Sequence, residues 1–157
     1  MKFEFTNLKY ENFDKEFCEF EYCYLKSINR TYKYLSLRVN LLQLPVTKFS
    51  VRFQMLKRFN GYKPFLYDTT VDGCKFLANQ KINPVAGFFF GLFSKYSNIN
   101  HTCPYEHDVI VDKVAVNTMN NGLTNVLPFP EGDYLYNITW IAYGKPRAVV
   151  KVFGTLS

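Results

Sequence analysis

The amino-acid sequence predicts an all-β protein, an antiparallel β-sandwich of two sheets with one short helical insertion at about residues 73–96. Apolar and polar residues alternate with a period of two along eight segments, and turn signals divide these segments. A single apolar stripe at helical spacing interrupts them. Aromatic residues, which suit strand faces, make up 18% of the chain. The length of 157 residues suits a single domain, expected to span residues 1–157.

The strands are predicted from alternation and from the glycine, proline and asparagine residues that bound each segment. The clearest, residues 35–41, alternates aliphatic and polar side chains, and residues 49–55 repeat the pattern. We interpret these two as neighbouring strands with one buried face, which would place Arg38, Lys48 and Arg52 together on the exposed face. The eight predicted strands are 2–10, 18–28, 31–44, 47–59, 63–72, 107–118, 132–143 and 146–155.

The insertion is predicted to contain a helix that begins at Asn83-Pro84, with Asn as the N-cap and Pro at the first helical position. An earlier helical turn is predicted near residues 74–79. Gly87 and Gly91 weaken the main helix, so we expect it to depend on tertiary packing. The apolar stripe leaves Phe90 on the less buried side and consists of Val85, Phe88, Phe89, Leu92 and Phe93.

Four cysteines are present, and two of them bracket the insertion. A Cys74–Cys103 disulfide would close a loop of about 30 residues and contribute about 3–4 kcal/mol; the alternative is two buried thiols. In one straight strand Cys18 and Cys23 would lie about 17 Å apart on opposite faces. A Cys18–Cys23 disulfide therefore requires a bend or bulge near Phe20.

Three Asn-x-Ser/Thr sequons, at Asn29, Asn100 and Asn137, together with the even number of cysteines predict an extracellular glycoprotein. The first residues lack the charged and apolar regions of a signal peptide, so we expect the signal peptide to be absent from this chain. No apolar run reaches 18 residues, and we expect no transmembrane segment.

The net charge of +6 is unevenly distributed, because nine basic residues and no acidic residue lie between Tyr22 and Tyr67. Such a basic patch can attract anionic partners, although a solvated sheet face explains it equally simply. We expect no nucleic-acid partner.

The sequence contains no Gly-x-Ser-x-Gly elbow, phosphate-binding glycine loop or dinucleotide fingerprint. A metal site formed by His101, Cys103, His107 and Asp108 is conceivable, but its spacing matches none of the regular zinc motifs. We therefore predict a protein that is not an enzyme and that has no cofactor and no metal.

The aromatic cluster of the insertion suggests a ligand cavity. Bulky apolar residues on more than one side of the predicted helix would line the mouth of a cavity between the sheets. The neighbouring Val149 and Val150 permit two registers for the last strand, and we take the register that turns Val150 inward. The predicted wall consists of Leu37, Val39, Leu41, Phe49, Val51, Phe53, Phe88, Phe89, Leu92, Phe93, Ile138, Trp140, Val150 and Val152.

Several blocks of the sequence resemble, in order, one large family of secreted insect proteins of unknown function that is expanded in flies. They include Cys23-Tyr24-Leu25-Lys26, the stretch from Phe59 to Leu66, and the distinctive stretch from Tyr96 to Tyr105, which contains Asn-His-Thr-Cys-Pro-Tyr. The family is similar in cysteine pattern to the ML (lipid-recognition) domains, and some relatives are implicated in chemosensation. One departure is Tyr10, which stands where the family has the cysteine that pairs with Cys23.

The resemblance implies an immunoglobulin-like β-sandwich with the ML-like domain covering residues 1–157. It also implies a secreted protein that holds a lipid or another apolar small molecule between its sheets. The alternative is an extracellular interaction module that binds a receptor or another extracellular protein through its basic sheet face, with no internal ligand.

Overall fold

The computed structural model describes residues 2–30, 32–115 and 129–157. Two parts of the predicted strands lie outside these ranges: Thr31, the first residue of the predicted strand 31–44, and residues 116–118, the end of the predicted strand 107–118. Each predicted strand overlaps a strand of the structure. Within the described ranges the strands are β1 (Phe3–Asn12), β2 (Cys18–Ser27), β3 (Lys33–Leu41), β4 (Phe49–Phe59), β5 (Gly61–Asp72), β6 (Val109–Ala115), β7 (Gly132–Ala142) and β8 (Lys145–Leu156).

The strands form two sheets in which every pair is antiparallel. One sheet has five strands in the order β1-β8-β7-β4-β5, and the other has three in the order β2-β3-β6. Residues of both sheets, such as Leu37 and Met55, belong to one hydrophobic core, because alternate side chains of each strand turn inward. The all-β sandwich is thus confirmed.

The predicted pairing of residues 35–41 with 49–55 is wrong. These strands, β3 and β4, lie in different sheets, so Arg38 and Arg52 point outward from opposite sides of the sandwich. The predicted common basic face of Arg38, Lys48 and Arg52 therefore does not form. Alternation specifies which residues of a strand face the core, but it does not specify the sheet to which that strand belongs.

Acidic neighbours accompany both arginines. The Arg38 guanidinium contacts Glu21 at 2.9 Å and Asp108 at 3.0 Å, and Arg52 contacts Asp68 at 2.9 Å. The hydrogen bond from Arg52 holds the pKa of the Asp68 carboxyl below its usual value. Since these pairs are largely exposed, they contribute little to stability and mainly reduce the local positive charge.

The helical insertion occupies the predicted residues 73–96. It contains α1 (Gly73–Ala78), α2 (Pro84–Gly91) and two 3-10 turns, Gln80–Ile82 and Ser94–Tyr96. The Asn83 side chain accepts a hydrogen bond from the Ala86 amide at 3.0 Å, which confirms the predicted N-cap. Within the described ranges, no helix has the length and apolar character that a membrane crossing requires.

The two long edges of the sandwich are closed differently. At one edge β1 packs against β2. At the other, β5 and β6 are the outer strands, and residues 73–108 connect them. This connecting segment continues directly from β5, and its Ser97 pairs with Val111 of β6. It therefore forms a third wall beside the two sheets.

Gly154 of β8 is a position where the backbone of the five-stranded sheet requires the smallest residue. A Cβ atom there would overlap the buried ring of Phe3 and approach the Glu4 carbonyl oxygen to 3.1 Å. We expect Gly154→Ala to lower the free energy of unfolding by about 1–3 kcal/mol, as overpacking does. Urea unfolding measures the change.

Gly91→Ala is the matched control, since a Cβ atom there has no neighbour within 4 Å. Alanine at this exposed helical position should raise stability by about 0.5 kcal/mol. Equal effects of the two variants would contradict the packing assigned to Gly154.

Candidate functional site

An apolar cavity of about 330 Å³ lies between the two sheets and the connecting segment 73–108. Leu37 and Val39 of the three-stranded sheet face Val51 and Phe53 of the five-stranded sheet across it, and Phe89 of α2 closes its side. The Phe89 ring packs on Phe53 with ring centroids 4.4 Å apart. The cavity thus has walls from all three parts of the fold.

The structure places twelve of the fourteen predicted wall residues around this cavity. Val150 lines it and Val149 does not, so β8 has the inward register that we chose. The twelve are Leu37, Val39, Phe49, Val51, Phe53, Phe89, Leu92, Phe93, Ile138, Trp140, Val150 and Val152.

Leu41 and Phe88 lie outside the cavity wall. Leu41 is buried in the core, where it pairs with Cys18 of the neighbouring strand β2. Phe88 contacts Phe89 with ring centroids 5.0 Å apart but does not border the cavity.

The helix turns inward a face that keeps Val85 and Phe89 of the predicted stripe but is rotated towards Phe90 and away from Phe88. Its cavity-lining residues include Val85, Ala86, Phe89 and Phe90. Phe90, which was expected on the less buried side, packs edge-on against Phe76 of α1, with ring centroids 5.7 Å apart. Because three consecutive phenylalanines make every side of this helix apolar, periodicity fits two faces, and packing against α1 selects one of them.

Sequence reasoning missed further wall residues. Tyr136 has the same parity on β7 as the predicted Ile138 and Trp140, so extending that alternation by one step would have found it. Ile99 and Tyr105 lie in the irregular part of the connecting segment, where no periodic signal identifies inward positions.

The described part of the cavity wall is uncharged. No described lining residue carries a charged side chain, and hydroxyl groups come from Thr69, Tyr105 and Tyr136. The Tyr105 hydroxyl donates to the Ile99 carbonyl oxygen at 2.7 Å. Burial raises the pKa of both tyrosine hydroxyls, so they remain neutral at physiological pH.

The predicted disulfide joins Cys74 to Cys103, with Cα atoms 5.4 Å apart. Cys74 lies in α1 beside the lining residues Phe76 and Leu77, and Cys103 lies two residues before the lining residue Tyr105. The bond therefore fastens the two ends of the third wall to each other.

The Cys18–Cys23 disulfide does not form, and both residues are free thiols. A bulge between Phe20 and Tyr22 occurs as required, and both cysteines pack with the core. However, they pair with Leu41 and Leu37, four residues or about 13 Å apart along β3, which is too far for a bond. Burial raises the pKa of each thiol to about 11, which makes both unreactive.

The four residues considered for a metal site do not converge. Cys103 is in the disulfide, and Asp108 accepts hydrogen bonds from Arg38 and from the Leu41 amide. The Nε2 atoms of His101 and His107 are 2.6 Å apart and share a hydrogen bond. Across the part of the chain that the structure describes, no three His, Cys, Asp or Glu side chains are grouped to hold a metal ion.

Residues 51–136, more than half of the chain, match the model of a family described as "Protein of unknown function (DUF1091)". The matched region extends from β4 through the connecting segment to Tyr136 of β7. A comparison with curated proteins finds no match to this chain.

Proposed function

Since the chain belongs to the DUF1091 family, whose function is unknown, we propose its function from the cavity: it binds one lipid-like apolar molecule between its sheets. The main supporting observation is a space of about 330 Å³ between the sheets, whose described lining residues are mostly apolar and carry no charge. Ligand pockets are typically concave, mostly apolar and about 300–1,000 Å³ in volume. The proposal assigns binding and no catalytic step to these residues.

Burial of apolar surface supplies the affinity in this proposal. Each methylene group transferred from water into the cavity contributes about 0.8 kcal/mol. The cavity lies at the small end of the usual range, so one chain fits it better than a two-chain phospholipid does. The rings of Phe53, Phe89 and Tyr136 offer a large contact area to such a chain.

The ligand enters beside α2 in our proposal. Both sheets are held by ladders of backbone hydrogen bonds, whereas α2 belongs to no sheet. It contacts the five-stranded sheet through side chains such as Phe89, whose ring centroid lies 5.7 Å from that of Tyr67. With only eight residues, two of them Gly87 and Gly91, α2 has little stability of its own. It is therefore the part of the wall that opens at the lowest cost.

The setting that we propose is extracellular, in line with the resemblance to secreted, ML-like proteins and to chemosensory relatives. The Cys74–Cys103 bond supports this, because disulfides persist in oxidising compartments. Glycosylation of the three sequons remains a prediction. Asn29 and Asn100 are exposed, whereas the Asn137 amide lies half-buried within β7 and donates to Gln54 at 2.9 Å.

Filling the cavity tests the proposal. Ala86 lines the cavity from α2, so the phenyl ring introduced by Ala86→Phe would fill part of the cavity that the ligand occupies. We expect at least about a tenfold loss of affinity for a fluorescent fatty alcohol, because burial of about two methylene groups is lost. Fluorescence titration measures the affinity, and native mass spectrometry after expression in insect cells identifies co-purifying lipid.

Ala78→Phe is the matched control, because Ala78 is exposed at the end of α1 and lies outside the cavity wall. This variant should bind as the unmodified protein does. Absence of both co-purifying lipid and probe binding in the unmodified protein would refute the proposed function.

A further inference from the structure

We infer that the ligand is a neutral molecule with one hydroxyl or carbonyl oxygen, which hydrogen-bonds to the Tyr136 hydroxyl inside the cavity. The ligand class is thus a fatty alcohol, aldehyde, ketone or ester, as opposed to a fatty acid or a phospholipid. This inference rests on the proposed function and specifies the chemistry of the same cavity.

Tyr136 lies at the centre of the five-stranded sheet. On β7 it pairs with Met55 of β4 on one side and with Val152 of β8 on the other. Its side chain is 6% exposed, and the rings of Phe53 and Phe89 lie 6.1 Å and 6.4 Å from its own. A polar group is thereby placed within an aromatic wall.

The Tyr136 hydroxyl has no hydrogen-bond partner among the residues that the structure describes, whereas the two most deeply buried tyrosines, Tyr134 and Tyr105, are both bonded. Tyr134 donates to the Pro130 carbonyl oxygen at 2.6 Å, and Tyr105 donates to Ile99 at 2.7 Å. Buried polar groups in proteins nearly always have a partner, because leaving one unpaired is costly.

Protein atoms do not seal the Tyr136 hydroxyl completely. Among the described residues, Oδ1 of Asn137 is the side-chain oxygen that is both fully buried and without a partner. The Tyr136 hydroxyl also lacks a described partner, but it is not fully buried. The hydroxyl therefore retains some exposed surface, and because Tyr136 lines the cavity we infer that this surface faces it. A ligand oxygen can reach it there.

The wall excludes charge from the ligand. No described lining residue is charged, so a carboxylate or phosphate inside would lose its water without gaining a counter-ion. The Tyr136 hydroxyl stays protonated because burial raises its pKa, and it can then donate to a carbonyl oxygen or accept from an alcohol. Thr69, which also lines the cavity, adds a second small hydroxyl opposite Phe53.

The cavity volume sets the ligand size. About 330 Å³ corresponds to roughly 11 water-sized groups at about 30 Å³ each. Decanol, decane and decanoate have about this number of non-hydrogen atoms and differ in the group at one end. They therefore serve as a matched set of probes.

The test measures displacement of a fluorescent apolar probe by these three molecules at pH 8, where decanoate is ionised. We expect decanol to bind at least about tenfold more tightly than decanoate, since the buried carboxylate has no counter-charge. Tyr136→Phe should weaken decanol binding by about two- to tenfold and leave decane binding unchanged, because one hydrogen bond is lost.

Tyr134→Phe is the control variant, since its hydroxyl is bonded to Pro130 and Tyr134 does not line the cavity. It should leave the ratio of decanol to decane affinity unchanged. If decanoate binds as tightly as decanol, or if Tyr136→Phe weakens decane and decanol equally, the inference is wrong while the proposed function stands. If none of the three binds, the proposed function fails and the inference with it.

Discussion

Replacing Cys74 and Cys103 together by alanine is expected to lower the free energy of unfolding by about 3–4 kcal/mol. The bond joins residues 29 apart in sequence, and a loop of that length carries this chain-entropy contribution in the unfolded state. The same variant should lose ligand affinity, because the two ends of the third wall would no longer be tied together. Urea unfolding and fluorescence titration measure the two effects.

Cys23→Ala is the control for this double variant, since Cys23 is a free thiol. It removes a cysteine without opening a loop, and we expect it to retain ligand binding. An unchanged urea midpoint in the Cys74/Cys103 double variant would show that the connecting segment is held by its packing alone.

Truncating Phe49 is expected to cost about 3–5 kcal/mol, the usual range for a buried Phe→Ala substitution. Phe49 is 7% exposed at the start of β4 and packs against Tyr105 with ring centroids 5.3 Å apart. The ring thus connects the five-stranded sheet to the third wall. The loss of free energy of unfolding, measured by urea denaturation, has two sources: lost apolar burial and the enlarged cavity.

Phe59→Ala provides the comparison on the same strand. Phe59 ends β4 with 59% of its surface exposed, and we expect a change of less than about 0.5 kcal/mol. A small effect at Phe49, similar to that at Phe59, would mean that the contact between the sheet and the connecting segment is not essential for folding.

Local sequence patterns were sufficient to predict the strands, the N-cap at Asn83 and twelve of the residues that line the cavity. Each depends on a short-range rule, either alternation along a strand or the chemistry of a helix end. The Cys74–Cys103 disulfide could also be predicted, because these cysteines bracket the one predicted segment that departs from strand periodicity.

The remaining features depend on contacts between residues that are distant in sequence. Alternation along β3 and β4 is the same whether they share a sheet or face each other, so Arg38 and Arg52 were placed together wrongly. Packing decides which side of α2 faces inward. That the Tyr136 hydroxyl has no hydrogen-bond partner among the described residues can be seen only from their positions in the fold.

The cavity wall consists of sheet strands and of the connecting segment, and these two parts differ in how readily they tolerate substitution. Strand residues such as Val39 and Ile138 belong to hydrogen-bonded strands and also pack between the two sheets, so substitutions there affect folding. Residues of the connecting segment such as Ala86 and Ile99 belong to no sheet, and the disulfide holds the segment in place. Under the proposed function, ligand specificity can therefore change by exchange of side chains in this segment without disturbing the sheets.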